Sequence, residues 1–349
     1  MSASVLEAPY ALPDHGRRRR RRRGVVVTCL LAALAFALFV LTMMVGSYVM
    51  SPWDVIASTF HLTDDPAIDF IVRDLRLPVA TTALAVGVAL GVSGIIFQTL
   101  LANPLASPDF VGVSSGASLF AVASIVLFQT SGLGIPAAAL AGALTSAVLI
   151  YVLAWRQGVS GYRFILIGIA VSQFMYSIVG YVIARADIYE AREGMTWLVG
   201  SVGQAGTTEL RALLVAVVVL VPLALQLDRP LRVLELGDDA AKALGARVEL
   251  TRLALLGISV VLIAFATAVA GPIMFVALIA GPIARRLFGA APGGLLAAGF
   301  AGAVIVLSAD LVAQHLMPVG LPTGVISGAV GAPYLIWILI TVNKEGRGG

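Results

Sequence analysis

A basic block followed at once by a long apolar run is the most informative feature of this chain, which reads RRRRRRRGVVVTCLLAALAFALFVLTMMVGSYVM over residues 17–50. The run from Val25 to Met50 holds 26 residues and no charge. About 20 apolar residues let an α-helix cross a bilayer. A secretory signal would have about 7–15 apolar residues and a small-residue cleavage site, whereas Ser51-Pro52-Trp53-Asp54 follows here. We therefore expect a membrane helix that stays attached, preceded by a cytoplasmic anchor that also attracts anionic lipid.

The composition extends this prediction to the whole chain of 349 residues. Hydrophobic residues make up 59% and charged residues 12%, and the mean hydropathy is +0.98. A soluble domain carries roughly a quarter charged residues, so a soluble fold is excluded. Nine further apolar segments follow the first, at 77–101, 110–128, 134–155, 163–184, 208–227, 251–271, 273–288, 291–316 and 320–342.

The sequence thus predicts an all-α polytopic membrane protein with about ten transmembrane helices. We expect a cytoplasmic basic tail over residues 1–24, disordered over residues 1–16, then a ten-span domain over 25–342 and a cytoplasmic tail over 343–349. With the N-terminus inside, 18 of the 23 lysine and arginine residues fall on the inner side. The positive-inside rule therefore favours both termini in the cytoplasm.

An internal similarity suggests two related halves. The segment Gly94-Ile95-Ile96-Phe97-Gln98 to Asn103-Pro104-Leu105-Ala106 resembles Gly271-Pro272-Ile273-Met274-Phe275 to Gly281-Pro282-Ile283-Ala284. Five spans per half is an odd number, so the halves would insert with opposite topology, as in many transporters. Chance similarity between helices rich in glycine, alanine and proline is the alternative.

Few residues of this chain can carry chemistry. It has no Gly-Lys dipeptide, hence no Walker-type nucleotide site, and the one cysteine, Cys29, allows no disulfide or cysteine-cluster metal site and is expected in the core. Apart from Glu209 at the start of the segment 208–227, Asp310 is the only acidic residue within a predicted span; its function is either a structural hydrogen bond or a substrate or conformational role. We therefore predict no enzyme, no metal and no cofactor in this chain. The arginine run beside a membrane span argues against nucleic-acid binding.

Two segments outside the spans are candidates for contacts with partners. In the inner loop 229–250, Asp238 is predicted to cap the N-terminus of a short helix, and Gly245 is predicted to end it. The negative charge of Asp239 suits the positive N-terminal end of the helix dipole. That helix is either a solvated connector or a lever that seats in a soluble partner. In residues 51–76, expected on the outer side of the membrane, Arg73 and Arg76 lie one helical turn apart. They are either a contact site for a partner or anchors at the membrane interface.

The order of motifs resembles the FecCD-type permeases of bacterial ABC importers for ferric siderophores, haem and cobalamin. Besides the segments above, the similarity includes Arg73-x-x-Arg76-Leu77-Pro78, Gly112-Val113-Ser114-Ser115-Gly116, Trp197-Leu198-Val199-Gly200-Ser201, Leu236-Gly237-Asp238, Leu244-Gly245, Ala309-Asp310-Leu311, Thr323-Gly324-Val325 and Gly331-Ala332-Pro333. It covers nearly everything from about residue 30 to 342.

The resemblance implies a permease subunit in the bacterial inner membrane, driven by two cytoplasmic ATPase subunits that bind ATP and Mg²⁺, and fed by an extracytoplasmic binding protein. Arg73 and Arg76 match family arginines that meet the binding protein. The ATPase-coupling loop corresponds to Leu236, Gly237, Asp238, Asp239, Leu244 and Gly245. The fifth and tenth spans match helices of the central path, with Ser172, Gln173, Ser177 and Thr323 as polar candidates.

Departures from the family pattern concern the partner subunit. Pro282, Gln314 and Gly320 stand where the family usually has histidine, arginine and an acidic residue. These changes resemble the second subunit of a two-gene permease and favour a heterodimer over a homodimer. The alternative functions are a ten-span secondary transporter of a small organic solute and, more distantly, a membrane enzyme. The sequence leaves the transported chelate open.

Overall fold

The computed structural model describes residues 14–46, 48–62, 65–109, 112–155, 161–288 and 294–345. Across those ranges the chain forms helices and turns and no strand, which confirms the all-α prediction. The helices are α1 (Asp14–Met44), α2 (Pro52–Thr59), α3 (Pro66–Asp69), α4 (Leu77–Leu100), α5 (Val113–Val126), α6 (Gly134–Ala154), α7 (Gly161–Arg185), α8 (Ile188–Val199), α9 (Thr207–Gln226), α10 (Asp228–Leu234), α11 (Asp238–Ala243), α12 (Val248–Ala270), α13 (Val276–Phe288), α14 (Leu295–His315) and α15 (Thr323–Glu345).

Seven helical stretches in the described ranges are long and apolar enough to cross a membrane. They are Arg22–Met44, Pro66–Leu100, Gly134–Ala154, Gly161–Arg185, Thr207–Gln226, Val248–Ala270 and Leu295–His315. The second of these joins α3 to α4 through a π-helical segment, Phe70–Arg76. Helices α5, α13 and α15 occupy the other three predicted segments, and their apolar stretches are shorter.

The N-terminal region corrects two expectations. Helix α1 begins at Asp14, so the arginine run is helical and continuous with the first span, and the disorder expected over residues 1–16 is wrong at its C-terminal end. Residues 1–13 and 346–349 lie outside the described residues. Cys29 is exposed on α1 and is not a core residue.

Helix α4 is the centre of the molecule, because it packs against α14, α12, α13 and α9. Glycines make these close approaches possible. A Cβ on Gly91 would collide with the carbonyl of Ala298 on α14, and one on Gly94 with the carbonyl of Ala277 on α13. Small residues are the usual means of helix contact in membranes, where apolar burial gives little drive for association.

A buried pair of serines joins α4 to α12. The Ser93 hydroxyl donates to the Ser259 carbonyl at 2.9 Å, and the Ser259 hydroxyl donates to the Ser93 carbonyl at 3.0 Å. Each hydroxyl thus satisfies a backbone acceptor on the other helix, which stabilises the crossing without exposing polar groups to lipid.

Helices α7 and α15 differ from α4 in carrying exposed faces. Helix α7 packs on α5, α6 and α8 with one side only, and large apolar side chains such as Phe174 and Tyr181 stay exposed on the other. On α15, Val330 and Ile336 are exposed likewise.

Candidate functional site

The α10–α11 segment, residues 228–247, forms a compact unit on the end of α4. Leu234, Ala241 and Val248 are buried together and pack against Leu100. Gly237 precedes α11 with φ +92°, and Gly245 follows it with φ +78°. The left-handed Gly245 confirms the predicted stop. The predicted cap is wrong, because Gly237 takes the cap position.

Asp238 instead opens α11 and pairs with α12. Its carboxylate lies 2.6 Å from the Arg252 guanidinium, which also lies 3.7 Å from the Glu249 carboxylate. At the start of α10, burial raises the pKa of Asp228 above its ordinary value, and the Arg232 guanidinium at 2.8 Å opposes that shift. The Asp238–Arg252 pair holds α11 to α12, whereas the Asp228–Arg232 pair lies within α10.

Two leucines flank α11 and point away from this unit. Leu236 is 63% exposed and Leu244 is 66% exposed, while Ala241 between them is fully buried. The segment therefore has an anchored inner face and an apolar outer face that the described residues leave uncovered.

Arg73 and Arg76 lie just before the N-terminal end of α4, at the end of that helix away from the α10–α11 segment. Their contacts differ. The Arg73 guanidinium is 3.9 Å from the Asp69 carboxylate at a partly exposed site. The Arg76 guanidinium donates to the carbonyls of Met43 at 2.8 Å, Met44 at 3.1 Å and Tyr48 at 2.6 Å. Arg76 thus satisfies the carbonyl groups that helix α1 leaves unpaired at its C-terminus.

A cavity of about 830 Å³ opens beside Arg76, and Asp310 lines its wall. Asp310 is 1% exposed and accepts a hydrogen bond from the Thr323 hydroxyl at 2.9 Å. Thr323 in turn accepts one from the Val202 backbone amide at 3.4 Å. The structural hydrogen bond considered for Asp310 is therefore present, and it joins α14 to the start of α15.

The four predicted path residues do not share one surface. Gln173 and Ser177 are exposed on α7, and the Ser177 hydroxyl donates to the Gln173 carbonyl at 2.8 Å. Ser172 is buried and donates to the Gly168 carbonyl at 2.7 Å, and Thr323 is buried beside Asp310. Only the first two lie on the exposed face of α7.

Sequence reasoning missed Asp109, a half-buried acidic residue in the connection between α4 and α5. Its carboxylate accepts hydrogen bonds from Ser114 at 2.7 Å and Ser107 at 3.4 Å. The run Ser107-Pro108-Asp109 was the available signal, since serine and aspartate near a proline favour local turns. Asp109 lies one residue before the predicted span 110–128.

Among the residues that the structure describes, no three histidine, cysteine, aspartate or glutamate side chains form a group able to hold a metal ion. The described residues form a helical protein with seven stretches long and apolar enough to cross a membrane and an exposed apolar face along α7. Comparison with known proteins identifies its family.

The model of the FecCD transport family matches residues 33–341, and the chain belongs to that family. The ferric enterobactin transport system permease protein FepG of Escherichia coli strain K12 is 40% identical over 276 residues, 79% of this chain and 84% of the relative. The achromobactin transport system permease protein CbrC of Dickeya dadantii strain 3937 is 39% identical over 312 residues, 88% of this chain and 89% of the relative. A solved structure, described as an inward-facing conformation of a metal-chelate type ABC transporter, superposes with a TM-score of 0.79 at 27% identity, over 90% of this chain and 98% of that one.

Proposed function

We propose that the chain is the membrane-spanning permease subunit of a bacterial ABC importer that takes up an iron–siderophore complex. Two ATPase subunits bind ATP and Mg²⁺ and drive it, and an extracytoplasmic binding protein delivers the substrate. The chain itself translocates the complex and does no chemistry on it. The names of the relatives FepG and CbrC support the siderophore class, and haem or cobalamin are the alternatives that the motif resemblance includes.

The observation that carries this proposal is the two-sided α10–α11 segment. Its inner face is anchored to α4 and α12, so a force on α11 reaches the membrane helices. Its outer face offers Leu236 and Leu244, two large exposed apolar side chains of the kind that mark contact sites for a partner. A solvated connector has no need of two exposed leucines beside a rigidly held helix.

The test is Leu236→Asp combined with Leu244→Asp in the full transporter. Both side chains are exposed, so the permease is expected to reach the membrane and fold. Co-purification of the ATPase and substrate-stimulated ATP hydrolysis should both fall at least tenfold. Leu62→Asp is the control, since Leu62 is 68% exposed and lies outside the α10–α11 segment. Normal ATPase assembly in the double variant would contradict the proposal.

Docking of the binding protein is assigned to the outer end, with Arg73 as the accessible charge. Arg73→Glu should slow association with the binding protein and weaken its dependence on salt, because a peripheral charge acts mainly through steering. Arg76→Glu is expected to affect both docking and the end of α1. Normal binding of Arg73→Glu at low salt would remove Arg73 from the interface.

The membrane topology comprises ten spans across residues 25–342, with both termini cytoplasmic and two inverted halves. In support, the two similar segments touch: Gln98 donates to the Leu278 carbonyl at 2.9 Å, and Gly94 packs on Ala277. Labelling of single cysteines placed at positions 62 and 244 in a Cys29→Ser background tests this topology. Reagents that do not cross the membrane should reach position 62 from outside and position 244 from inside only.

A second permease subunit covers the exposed apolar face of α7. Phe174 is 67% exposed and Tyr181 is 62% exposed, so this face of α7 is open to a second subunit as well as to lipid. The departures at Pro282, Gln314 and Gly320 favour a homologous chain over a second copy. Tagged and untagged copies expressed together should not co-purify if the partner is a different subunit.

The remaining alternative is a secondary transporter of a small organic solute. Uptake of ferric enterobactin, ferric achromobactin or haem labelled with radioactive iron, and of cobalamin labelled with radioactive cobalt, separates both function and substrate. Uptake should require the co-expressed ATPase and should be strongest for a siderophore complex. Uptake that persists without the ATPase and follows an ion gradient would favour the alternative.

A further inference from the structure

Three arginines of the run on α1, Arg18, Arg22 and Arg23, face two different surroundings. The Arg23 Nε donates to the Leu287 carbonyl at 3.2 Å, at the C-terminal end of α13. Arg18 and Arg22 lie elsewhere on the helix and line a groove of about 390 Å³ together with Val25 and Val26. The spacing of four residues places Arg18 and Arg22 one above the other on one face.

That face continues into the membrane span without interruption. Val25, Val26, Cys29 and Phe36 are all exposed, and helical periodicity places them below Arg22. Leu31 and Ala35 on the opposite face are buried, and Leu31 belongs to the main hydrophobic core. The exposed face therefore has two adjacent guanidinium groups at the top and an apolar stripe beneath them.

An amphipathic molecule fits this arrangement better than a small anion or a soluble protein does. Arginine guanidinium groups bind phosphate oxygens through paired hydrogen bonds. A free phosphate would use the two arginines and leave the apolar stripe unused. A soluble partner would not reach Phe36, which lies 14 residues beyond Arg22, about 21 Å along the helix axis.

We propose that this face of α1 is a binding site for an anionic phospholipid in the leaflet on the N-terminal side of α1. The lipid phosphate binds Arg18 and Arg22, and an acyl chain lies along Val25, Val26, Cys29 and Phe36. Lipid binding at this face does not depend on the transport function. It requires only that α1 crosses the membrane.

Cys29 supplies the probe, because it is the only cysteine in the chain and is exposed on this stripe. The full chain is labelled at Cys29 with a bimane fluorophore and placed in phosphatidylcholine vesicles that contain a minor fraction of brominated lipid. Brominated phosphatidylglycerol should quench the label about twofold more than the same fraction of brominated phosphatidylcholine, because the anionic lipid is enriched at the site. Equal quenching by the two lipids would overturn the proposal.

A matched pair of variants tests the site itself. Arg18→Gln with Arg22→Gln should remove the preference for phosphatidylglycerol. Arg19→Gln with Arg23→Gln removes the same charge from other faces and should preserve it. An equal loss in both double variants would show attraction by net charge alone and overturn the proposal.

Two further outcomes separate other occupants. Millimolar inorganic phosphate should leave the preference unchanged, and its displacement of the lipid would assign the arginines to a free phosphate. Co-purification of the ATPase should also be unchanged in Arg18→Gln with Arg22→Gln. Loss of the ATPase with an intact lipid preference would assign the arginines to a protein contact instead.

Discussion

Helices α4 and α7 are similar in length and apolar sequence, but α4 is buried among other helices and α7 lies at the periphery. They contain 24 and 25 residues, and both were predicted from apolar runs. Helix α4 is buried against four other helices, whereas α7 leaves one face exposed along its length. Apolarity therefore does not distinguish a central helix from a peripheral one in this fold.

The residue sizes on the two helices do distinguish them. Gly87, Gly91 and Gly94 give α4 a narrow face on which the backbones of α13 and α14 fit closely. On α7, Phe174 and Tyr181 project outward, and a Cβ on Gly180 would meet nothing within 4 Å. In a membrane, close packing of small residues replaces the hydrophobic drive of soluble cores.

The largest expected effect comes from Gly94→Leu on α4. Overpacking against adjustable side chains costs about 1–3 kcal/mol, and here the obstacle is the backbone carbonyl of Ala277. We expect no monodisperse protein in size-exclusion chromatography. Gly180→Leu on α7 is the control and should yield normal amounts of folded protein. Equal recovery of the two variants would show that α4 is not closely packed.

The next largest effect separates two phenylalanines. Phe97 on α4 is fully buried, with its ring centroid 6.3 Å from that of Phe164, while Phe174 on α7 is exposed. Phe97→Ala should lower the free energy of unfolding by about 3–5 kcal/mol through loss of packing and creation of a cavity. Phe174→Ala should change it by less than about 0.5 kcal/mol in the isolated chain. Denaturant titration in detergent measures both, and similar losses would contradict the assigned burial.

A smaller effect is expected at the two arginines that precede α4. Arg76→Gln removes charged donors from three carbonyls near the end of α1 and should lower stability by about 1.5–3 kcal/mol. Arg73→Gln breaks one exposed pair and should lower it by less than about 1 kcal/mol. Thermal unfolding of the isolated permease tests this. A larger loss for Arg73→Gln would reverse the roles assigned here.

The smallest effect concerns serine hydroxyls. Ser259→Ala removes the bond from the Ser259 hydroxyl to the Ser93 carbonyl and the 2.6 Å contact between the two hydroxyls, and should cost about 0.6–1.7 kcal/mol. Ser177→Ala on α7 removes a bond within its own helix and should have no measurable effect on stability. The double variant Ser93→Ala with Ser259→Ala should cost less than the sum of the single variants, because both act on one interaction. Additive losses would show that the two serines act independently.

Local patterns in the sequence predicted much of the fold and part of the candidate site. The ten apolar segments all coincide with helices, and Gly245 ends α11 as its conformational freedom suggested. The cap predicted at Asp238 failed because its carboxylate pairs with Arg252, which is 14 residues away and therefore outside local reasoning. Ser172 and Thr323 are buried within this chain, which local reasoning did not indicate, and their place on the path stays a prediction.

The sequence by itself determined the class of this protein, since long apolar runs, few charges and one-sided basic residues are local properties that the bilayer selects directly. Tertiary structure alone decided which helix is central, which arginine is bound to the end of α1, and which hydroxyls are buried. Those outcomes depend on contacts between residues far apart in the chain, such as Arg76 with Met43 and Asp310 with Thr323. Since lipid tails and helix interiors are equally apolar, hydropathy alone cannot determine these contacts.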